Sequence, residues 1–177
     1  MWYNHFVMQF TFEKFILRKW QSGDEPSLTE NANNRKIWIN LRDMFPHPYR
    51  MRDAREWVGQ ASKETPLTNF AIVVADKAVG GVGLTLKSDI NRKSAEIGYW
   101  LGEPYWNQGI ATEAVGAITE YGFTQFGLCR IYAGIMEWNP ASGRVLEKSG
   151  YTLEARLKKN ITKTGKTMDE LVYAMVR

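Results

Sequence analysis

The hydrophobic positions along the chain repeat with two different spacings. Short β-branched and aromatic runs bounded by turn residues predict strands, and apolar residues three or four positions apart predict helices. The predicted strands are Phe15–Lys19, Phe70–Ala75, Val79–Leu86, Glu96–Leu101, Arg130–Met136, Tyr151–Lys159 and Leu171–Arg177. The predicted helices are Leu28–Leu41, a helix capped by Asp53 that ends at Ala61, Gln108–Phe126 and Pro140–Ser149.

The residues between the predicted strands indicate how the strands pair. Asp76–Lys77, Asn91–Lys93 and Thr164–Lys166 are short turns, which predict antiparallel hairpins. The two strands that flank the long helix should instead run parallel, joined by a right-handed crossover. We therefore predict one α/β (α+β layered) domain over residues 15–177, preceded by a lead-in over residues 1–14. Its sheet is mixed and mostly antiparallel, with about seven strands and about four helices.

The link between the strand Glu96–Leu101 and the helix after it carries little side-chain bulk. Its centre is Trp106–Ala111, with the sequence WNQGIA. A helix N-terminus offers main-chain N–H groups and a partial positive charge, so this corner can cradle a diphosphate, with a hydroxyl group from Thr112. A tight turn that needs Gly109 only for its geometry explains the same residues. The glycine-rich run Gly80–Gly83 lies inside a predicted strand with no helix after it, which favours close strand packing over a dinucleotide motif.

Composition and charge narrow the class of protein. Of the 177 residues, 44% are hydrophobic and 24% charged, as in soluble globular domains. The net charge of +4 suits an anionic ligand, but no block of five or six like charges occurs, so no nucleic-acid partner is expected. The densest basic region is interpreted as a solvated hairpin; it contains Lys158, Lys159, Lys163 and Lys166.

Other features set the expected compartment and exclude some chemistries. No run of about 18 apolar residues suggests a membrane span, and the aromatic N-terminus does not resemble a signal peptide. Cys129 is the single cysteine, which rules out an intrachain disulfide and fits a reducing, cytoplasmic setting. No spacing of histidine, cysteine and acidic residues indicates a metal site.

Three segments together carry a resemblance to a known family. They are Glu96–Leu101 (EIGYWL), Tyr105–Ala114 (YWNQGIATEA) and Asn139–Tyr151 (NPASGRVLEKSGY). In their order and spacing they resemble the GNAT superfamily of N-acetyltransferases, and most of all its RimJ/RimL-like branch, the ribosomal-protein N-terminal acetyltransferase type. The segment Asn40–Trp57 is also similar to members of that branch.

The resemblance implies that two central parallel strands splay apart and hold acetyl-CoA between them. The main chain of Tyr99, Trp100 and Leu101 would pair with the pantetheine arm. The pyrophosphate would lie at the corner formed by Asn107, Gln108, Gly109, Ile110, Ala111 and Thr112. Trp106 stands where the superfamily pattern often has arginine or glutamine, so this cradle would rely on the main chain.

Acetyl transfer by direct attack of an amine needs a base and a donor for the oxyanion. Glu96 is the candidate base, acting through water; a surface ion pair with Arg92 or Lys93 is the alternative for this residue. By resemblance, the Leu101 N–H group is the oxyanion donor.

The third motif places two further candidates near the thioester. By resemblance, Asn139 and Ser142 contact the cofactor and belong to the catalytic group, with Ser142 assisting at the sulfur. Asn139 before Pro140 is also a good helix cap, and the two roles are compatible. Many superfamily members have a tyrosine acid four residues after the Ser142 position, where this chain has Leu146, so reprotonation of the thiolate would need Tyr173 or another group.

The acceptor amine is open at this level. It is a protein N-terminus, a lysine or a small molecule, and His47 either contacts it or packs on Phe45 and Tyr49. An acyl-CoA-binding sensor of the same fold is the alternative function. A homodimer is an expectation from the family alone.

Overall fold

The computed structural model of the protein describes residues 8–177. Its strands are β1 (Gln9–Thr11), β2 (Ile16–Lys19), β3 (Asn69–Val74), β4 (Lys77–Leu86), β5 (Ser94–Leu101), β6 (Arg130–Met136), β7 (Thr152–Lys163) and β8 (Lys166–Val176). Its α-helices are α1 (Glu25–Ala32), α2 (Arg35–Trp38), α3 (Met51–Ala61), α4 (Ile110–Phe126) and α5 (Pro140–Lys148). Short 3-10 turns lie at Asp89–Asn91 and Glu103–Tyr105.

One mixed sheet contains these strands in the order β1-β2-β3-β4-β5-β6-β8-β7. β5 and β6 pair in parallel, whereas β1–β2, β2–β3, β3–β4, β6–β8 and β7–β8 pair antiparallel. The predicted α/β class, the mostly antiparallel pairing and the parallel pair across the long helix are therefore confirmed. Over residues 8–177 there are eight strands and five α-helices, against about seven and four predicted.

The additional strand is β1, which lies in the segment assigned from sequence to a lead-in. It pairs with β2 from Gln9 opposite Arg18 to Thr11 opposite Ile16. Three residues are too few to show an alternating pattern, which is why the sequence did not reveal this strand. The other part of the predicted lead-in, residues 1–7, lies outside the described residues.

The single helix predicted over Leu28–Leu41 is wrong, because α1 and α2 occupy this stretch. Asn34 between them has an extended backbone, and its side-chain oxygen accepts a hydrogen bond from the Lys36 N–H group at 2.8 Å. An asparagine in this role begins a new helix. The prediction that Asp53 precedes α3 as its cap is also wrong. Asp53 is the third residue of that helix, and its carboxylate accepts a hydrogen bond from the Arg50 N–H group at 2.7 Å.

The β7–β8 hairpin is longer than the sequence predicted. β7 continues to Lys163, and β8 begins at Lys166 rather than at Leu171. Most β7 side chains are exposed, so no alternation of apolar residues marks its length. The prediction of a solvated basic hairpin is wrong for Lys163, whose side chain is buried, with 1% of the residue exposed.

Contacts divide the chain into two compact units. The first contains the chain through Gly83 together with Tyr99–Ala114. A cluster of apolar side chains forms its core: Trp20, Leu28, Ala32, Tyr49, Ala54, Val58, Ala61, Ala71, Val73 and Ala78. The glycine-rich run Gly80–Gly83 of β4 belongs to this unit, and a Cβ atom on Gly80 would lie 2.6 Å from the Trp100 carbonyl oxygen. Close packing of the strands is therefore confirmed as the reason for that glycine.

The second unit contains Leu84–Gly98 and Val115–Arg177. Within it, α4 lies close to the sheet at Gly122, where a Cβ atom would be 2.7 Å from Ile131 Cδ1. Thr119 and Tyr151 share a buried hydrogen bond of 2.6 Å between their hydroxyl groups. The first contact packs the helix on β6, one strand of the parallel pair, and the second ties the helix to the residue before β7.

Candidate functional site

The corner after β5 is closed by hydrogen bonds within the first unit. The Gly102 N–H group donates to the Val79 carbonyl oxygen at 2.7 Å. The indole N–H group of Trp106 donates back to the Leu101 carbonyl oxygen, also at 2.7 Å. Trp106, the residue that departs from the superfamily pattern, therefore ties the corner to the end of β5.

The main chain of the corner has the conformation of an anion-binding turn. Asn107 and Gly109 have positive φ values of 59° and 85°, whereas Gln108 between them does not. Alternation of this kind turns successive N–H groups into a concave surface that binds anions. The Gln108 side chain donates to the Pro104 carbonyl oxygen at 3.0 Å, and the nearest atom to a Cβ on Gly109 would be Glu113 Oε1, at 3.6 Å. The corner is thus open at Gly109.

Helix α4 starts directly at this corner. Ile110 is its first residue and is buried, and the Glu113 N–H group donates to the Gly109 carbonyl oxygen at 3.1 Å. The N–H groups of a first helical turn lack partners within the helix, and the helix dipole adds positive potential there. The predicted cofactor residues from Asn107 to Thr112 are therefore brought together on one turn, as the sequence proposed.

Glu96 lies in the second unit, where the pairing of β5 with β6 ends. Its partner on β6 is Tyr132, and within residues 8–177 the two strands pair from Ser94 to Glu96. β5 continues to Leu101 and β6 to Met136. The parallel pairing therefore ends at the residue that the sequence singled out as the base.

The Glu96 carboxylate is held by a lysine that the sequence did not indicate. Lys87 Nζ lies 3.3 Å from Glu96 Oε2, and the two side chains are 30% and 18% exposed. The partners considered from sequence are wrong: Arg92 donates to the Asp89 carbonyl oxygen and Lys93 to the Gly127 carbonyl oxygen.

Lys87 also contacts the residue opposite Glu96. Its Nζ lies over the Tyr132 ring, 5.5 Å from the centroid. Hydrogen bonding to Tyr132 raises the pKa of Lys87; partial burial opposes this, and Glu96 adds to the increase. The lysine therefore stays an ammonium ion at neutral pH.

The predicted helix cap at Asn139 is confirmed. Its side-chain oxygen accepts a hydrogen bond from the Ser142 N–H group at 3.3 Å, and Pro140 is the first residue of α5. Both side chains are partly exposed. A contact of Asn139 or Ser142 with a cofactor stays a prediction.

The position of the superfamily tyrosine is occupied by a core residue. Leu146 is fully buried, with 0% exposure. Tyr173 of β8 reaches α5 instead: its hydroxyl group would lie 3.1 Å from a Cβ on Gly143, and it donates to Glu147 Oε1 at 3.1 Å. Burial, and then Glu147, raise the pKa of Tyr173, so its hydroxyl group keeps its proton at neutral pH.

The loop before α3 places its aromatic residues differently from the prediction. The exposed His47 stacks on Trp38, with ring centroids 5.2 Å apart, rather than on Phe45 and Tyr49. Phe45 packs instead on Tyr49 at 4.9 Å and on Trp100 at 5.8 Å. This loop therefore contacts β5 through Phe45, while His47 stays accessible.

Within residues 8–177, no group of three or more histidine, cysteine and acidic residues could hold a metal ion. None of the helices in that range combines the length and the apolar character needed to cross a membrane.

The fold is an α/β domain whose strand-to-helix corner has the conformation of an anion-binding turn. The chain belongs to the GNAT acetyltransferase family, since residues 14–152 match the acetyltransferase (GNAT) domain. It is 28% identical over 169 residues to the N-acetyltransferase p20 of Bacillus licheniformis, covering 93% of this chain and 94% of the relative. It is also 34% identical over 89 residues to the ribosomal-protein-serine acetyltransferase of Escherichia coli, covering 50% of this chain and 49% of that protein.

A solved structure agrees with the fold. The microcin C7 self-immunity acetyltransferase MccE, determined with acetyl-CoA and AMP, aligns with a TM-score of 0.80 and 25% identity over 94% of each chain. Membership of the GNAT family makes the protein an acyltransferase.

Three contacts of the site were not found from sequence. Lys87 and Tyr132 flank Glu96, and Lys14 Nζ lies 3.3 Å from the Gln108 carbonyl oxygen. All three depend on strand register or on a turn far away in the chain. The only signal in the sequence was the Trp106 departure, which showed that the corner lacks a basic side chain of its own.

Proposed function

We propose that the protein transfers the acetyl group of acetyl-CoA to a primary amine by direct attack in a ternary complex. The observation that carries this proposal is the place of Glu96, at the last paired position of β5 and β6. There its carboxylate forms an ion pair with Lys87, 3.3 Å away, and a general base must be positioned to reach the proton that it removes. Family membership supplies the reaction class.

In the proposed reaction, the amine nitrogen attacks the thioester carbonyl carbon. A lysine amine has a pKa near 10.4 and an α-amine near 8, so a base has to take a proton from either. Glu96 accepts that proton through a water molecule, and the Leu101 N–H group stabilises the oxyanion. The C–S bond then breaks, and CoA leaves as a thiolate with the electron pair. The nitrogen gives up its second proton as the amide forms, and this proton balances the one that the thiolate takes up.

We assign the contacts with the cofactor sulfur, and the protonation of the leaving thiolate, to residues on and near α5. Asn139 and Ser142 contact the cofactor near the sulfur, and Ser142 assists there. With Leu146 in the core, Tyr173 is the tyrosine that can supply a proton near this helix. A thiol pKa near 8.5 makes such assistance a modest effect.

The proposed acceptor follows the RimJ/RimL-like branch. The Escherichia coli relative is named for ribosomal-protein serine, so a protein N-terminus is the first acceptor to test, followed by lysine side chains and small amines. A cytoplasmic location and a homodimer belong to the same proposal.

Calorimetric titration of acetyl-CoA tests where the cofactor binds. Gly109→Trp places an indole in the corner and should abolish micromolar binding. Gly165→Trp is the matched control, because Gly165 also has a positive φ, 77°, in a turn where nothing lies within 4 Å of a Cβ. Unchanged binding by Gly109→Trp would contradict the assignment of the corner.

Release of CoA tests the reaction itself. Peptides that begin with serine or alanine, internal lysine peptides and small amines would be offered with acetyl-CoA, and free thiol measured. Thiol release that depends on one class of amine identifies the acceptor. If the protein binds acetyl-CoA but releases no CoA thiol with any amine, the alternative function, an acyl-CoA-binding sensor, would be favoured.

A further inference from the structure

The corner that receives the cofactor diphosphate carries negative rather than positive side chains. From Gly102 to Ala114 the charged residues are Glu103 and Glu113. Glu103 forms an ion pair with Lys36 and accepts from Asn34 at 2.8 Å. Glu113 points at the corner itself, with Oε1 3.6 Å from the place of a Cβ on Gly109. A diphosphate bound there therefore needs a cation from another part of the chain.

The turn between β1 and β2 brings such a cation. Lys14 is exposed, and its Nζ lies 3.3 Å from the Gln108 carbonyl oxygen, 94 positions away in the sequence. The Phe12 N–H group closes this turn by donating to the Phe15 carbonyl oxygen at 2.9 Å. The rings of the same two residues stack with centroids 4.3 Å apart. The turn thus holds the lysine backbone in place next to the corner.

We propose that Lys14 binds the diphosphate of acetyl-CoA. Its ammonium group has three donors on a flexible four-carbon stem, and the carbonyl of Gln108 uses one of them. A small movement brings the other donors to an anion held by the N–H groups of Asn107–Ile110. Lys14 then supplies the positive side chain that the superfamily often has at the place of Trp106. This inference rests on the proposed cofactor position at the corner.

The test compares acetyl-CoA affinities by calorimetry. Lys14→Ala should weaken binding about five- to tenfold, the range of one charged contact that is partly exposed to water. Lys14→Arg should restore most of it. Lys77→Ala removes the same charge from an exposed position of the same unit and should change the affinity less than twofold. Equal affinities for Lys14→Ala and Lys77→Ala would overturn the proposal.

A second ligand distinguishes a contact of Lys14 with the diphosphate from a contact with the 3′-phosphate of the cofactor. Acetyl-CoA without its 3′-phosphate keeps the diphosphate, so the loss caused by Lys14→Ala should be the same with both ligands. A loss that disappears with the 3′-dephospho ligand would overturn the assignment to the diphosphate.

The outcome for Lys14 is distinct from the outcome for the corner. If Gly109→Trp abolishes binding and Lys14→Ala does not weaken it, the corner stands and the lysine proposal fails. If Gly109→Trp binds acetyl-CoA normally, the proposed position of the cofactor is wrong, and the lysine proposal, which rests on that position, is wrong with it. Because Lys14 is exposed, its variants should keep the unfolding temperature of the native chain, which a melting curve checks.

Discussion

The ammonium group of Lys87 lies 3.3 Å from the carboxylate of Glu96, and the Tyr132 ring lies beneath it with the centroid 5.5 Å away. Both charged side chains are less than one-third exposed. An ion pair in this setting is screened less by solvent than a surface pair. The proposed base is therefore held in one orientation at the last position where β5 and β6 pair.

Replacing Glu96 by glutamine keeps the shape of the side chain and removes its basicity. Glu96→Gln should lower kcat about 10²- to 10⁴-fold, the usual contribution of a general base. The KM for acetyl-CoA should change less than threefold. Steady-state kinetics with a saturating amine checks this, and a variant with more than half the native kcat would exclude Glu96 as the base.

Lys87 is a positioning residue in this scheme. Lys87→Met should lower kcat about three- to tenfold with an unchanged KM for acetyl-CoA, since the carboxylate loses the partner that orients it. Lys87→Arg should recover most of the rate. A purely structural role predicts instead a lower unfolding temperature with normal kcat, and no recovery by arginine.

Trp57 is the control for a binding test of Trp106, because the two residues are about equally exposed. The two residues are 37% and 36% exposed, but the Trp106 indole donates to the Leu101 carbonyl oxygen. Trp106→Phe keeps the aromatic ring and loses this hydrogen bond, so the corner should loosen and acetyl-CoA bind about two- to fivefold more weakly. Trp57→Phe should bind normally. Equal affinities measured by calorimetry would show that the indole N–H group does not order the corner.

Local sequence patterns predicted some elements of this fold closely. The seven-residue strand Arg130–Met136 was predicted with its observed limits, because its buried positions alternate and turns bound it. The cap at Asn139 followed from the adjoining proline. The corner at Gly109 followed from small residues at a strand-to-helix boundary, and its positive φ agrees.

What the sequence did not reveal depends on contacts between distant positions. The pairing of Lys87 with Glu96 is set by the register across a hairpin, so nearby basic residues were chosen wrongly. Lys14 reaches Gln108 across 94 positions. The full length of β7 carries no hydrophobic alternation, since most of its side chains are exposed. These features require strand order and register, which single-residue patterns do not contain.

Two glycines offer a matched test of strand packing. A Cβ atom on Gly80 would lie 2.6 Å from the main-chain oxygen of Trp100, whereas one on Gly59 in α3 meets nothing within 4 Å. Gly80→Ala should destabilise the protein by about 2–3 kcal/mol, as overpacking does. Gly59→Ala should stabilise it by up to about 1 kcal/mol through helix propensity. Chemical denaturation measures both, and a neutral Gly80→Ala would contradict the close approach of β4 and β5.

Glu64, in the connection from α3 to β3, should make the stability of the fold depend on pH. Glu64 accepts four hydrogen bonds, from the N–H groups of Thr68 and Asn69 at 3.0 and 2.8 Å and from both of their side chains at 2.7 Å. Burial alone would raise the pKa of Glu64, but these hydrogen bonds outweigh it and the pKa is lowered from 4.5. The carboxylate therefore stabilises the fold fully above pH 4.5, and this contribution is lost as the pH falls through the lowered value.

Glu64→Gln should consequently lower the unfolding temperature by about 2–4 °C at pH 7, which corresponds to about 1 kcal/mol for a partly exposed charged acceptor. The difference from the native chain should shrink as the pH falls through the lowered pKa of Glu64, because the native carboxyl group then becomes protonated as well. Glu30→Gln, at an exposed position of α1, is the control. Its unfolding temperature should differ little from that of the native chain, and this difference should not shrink as the pH falls. Thermal melts at several pH values decide the matter: a Glu64→Gln difference that stays constant from pH 7 to pH 3 would mean that the hydrogen bonds from Thr68 and Asn69 do not favour the charged form.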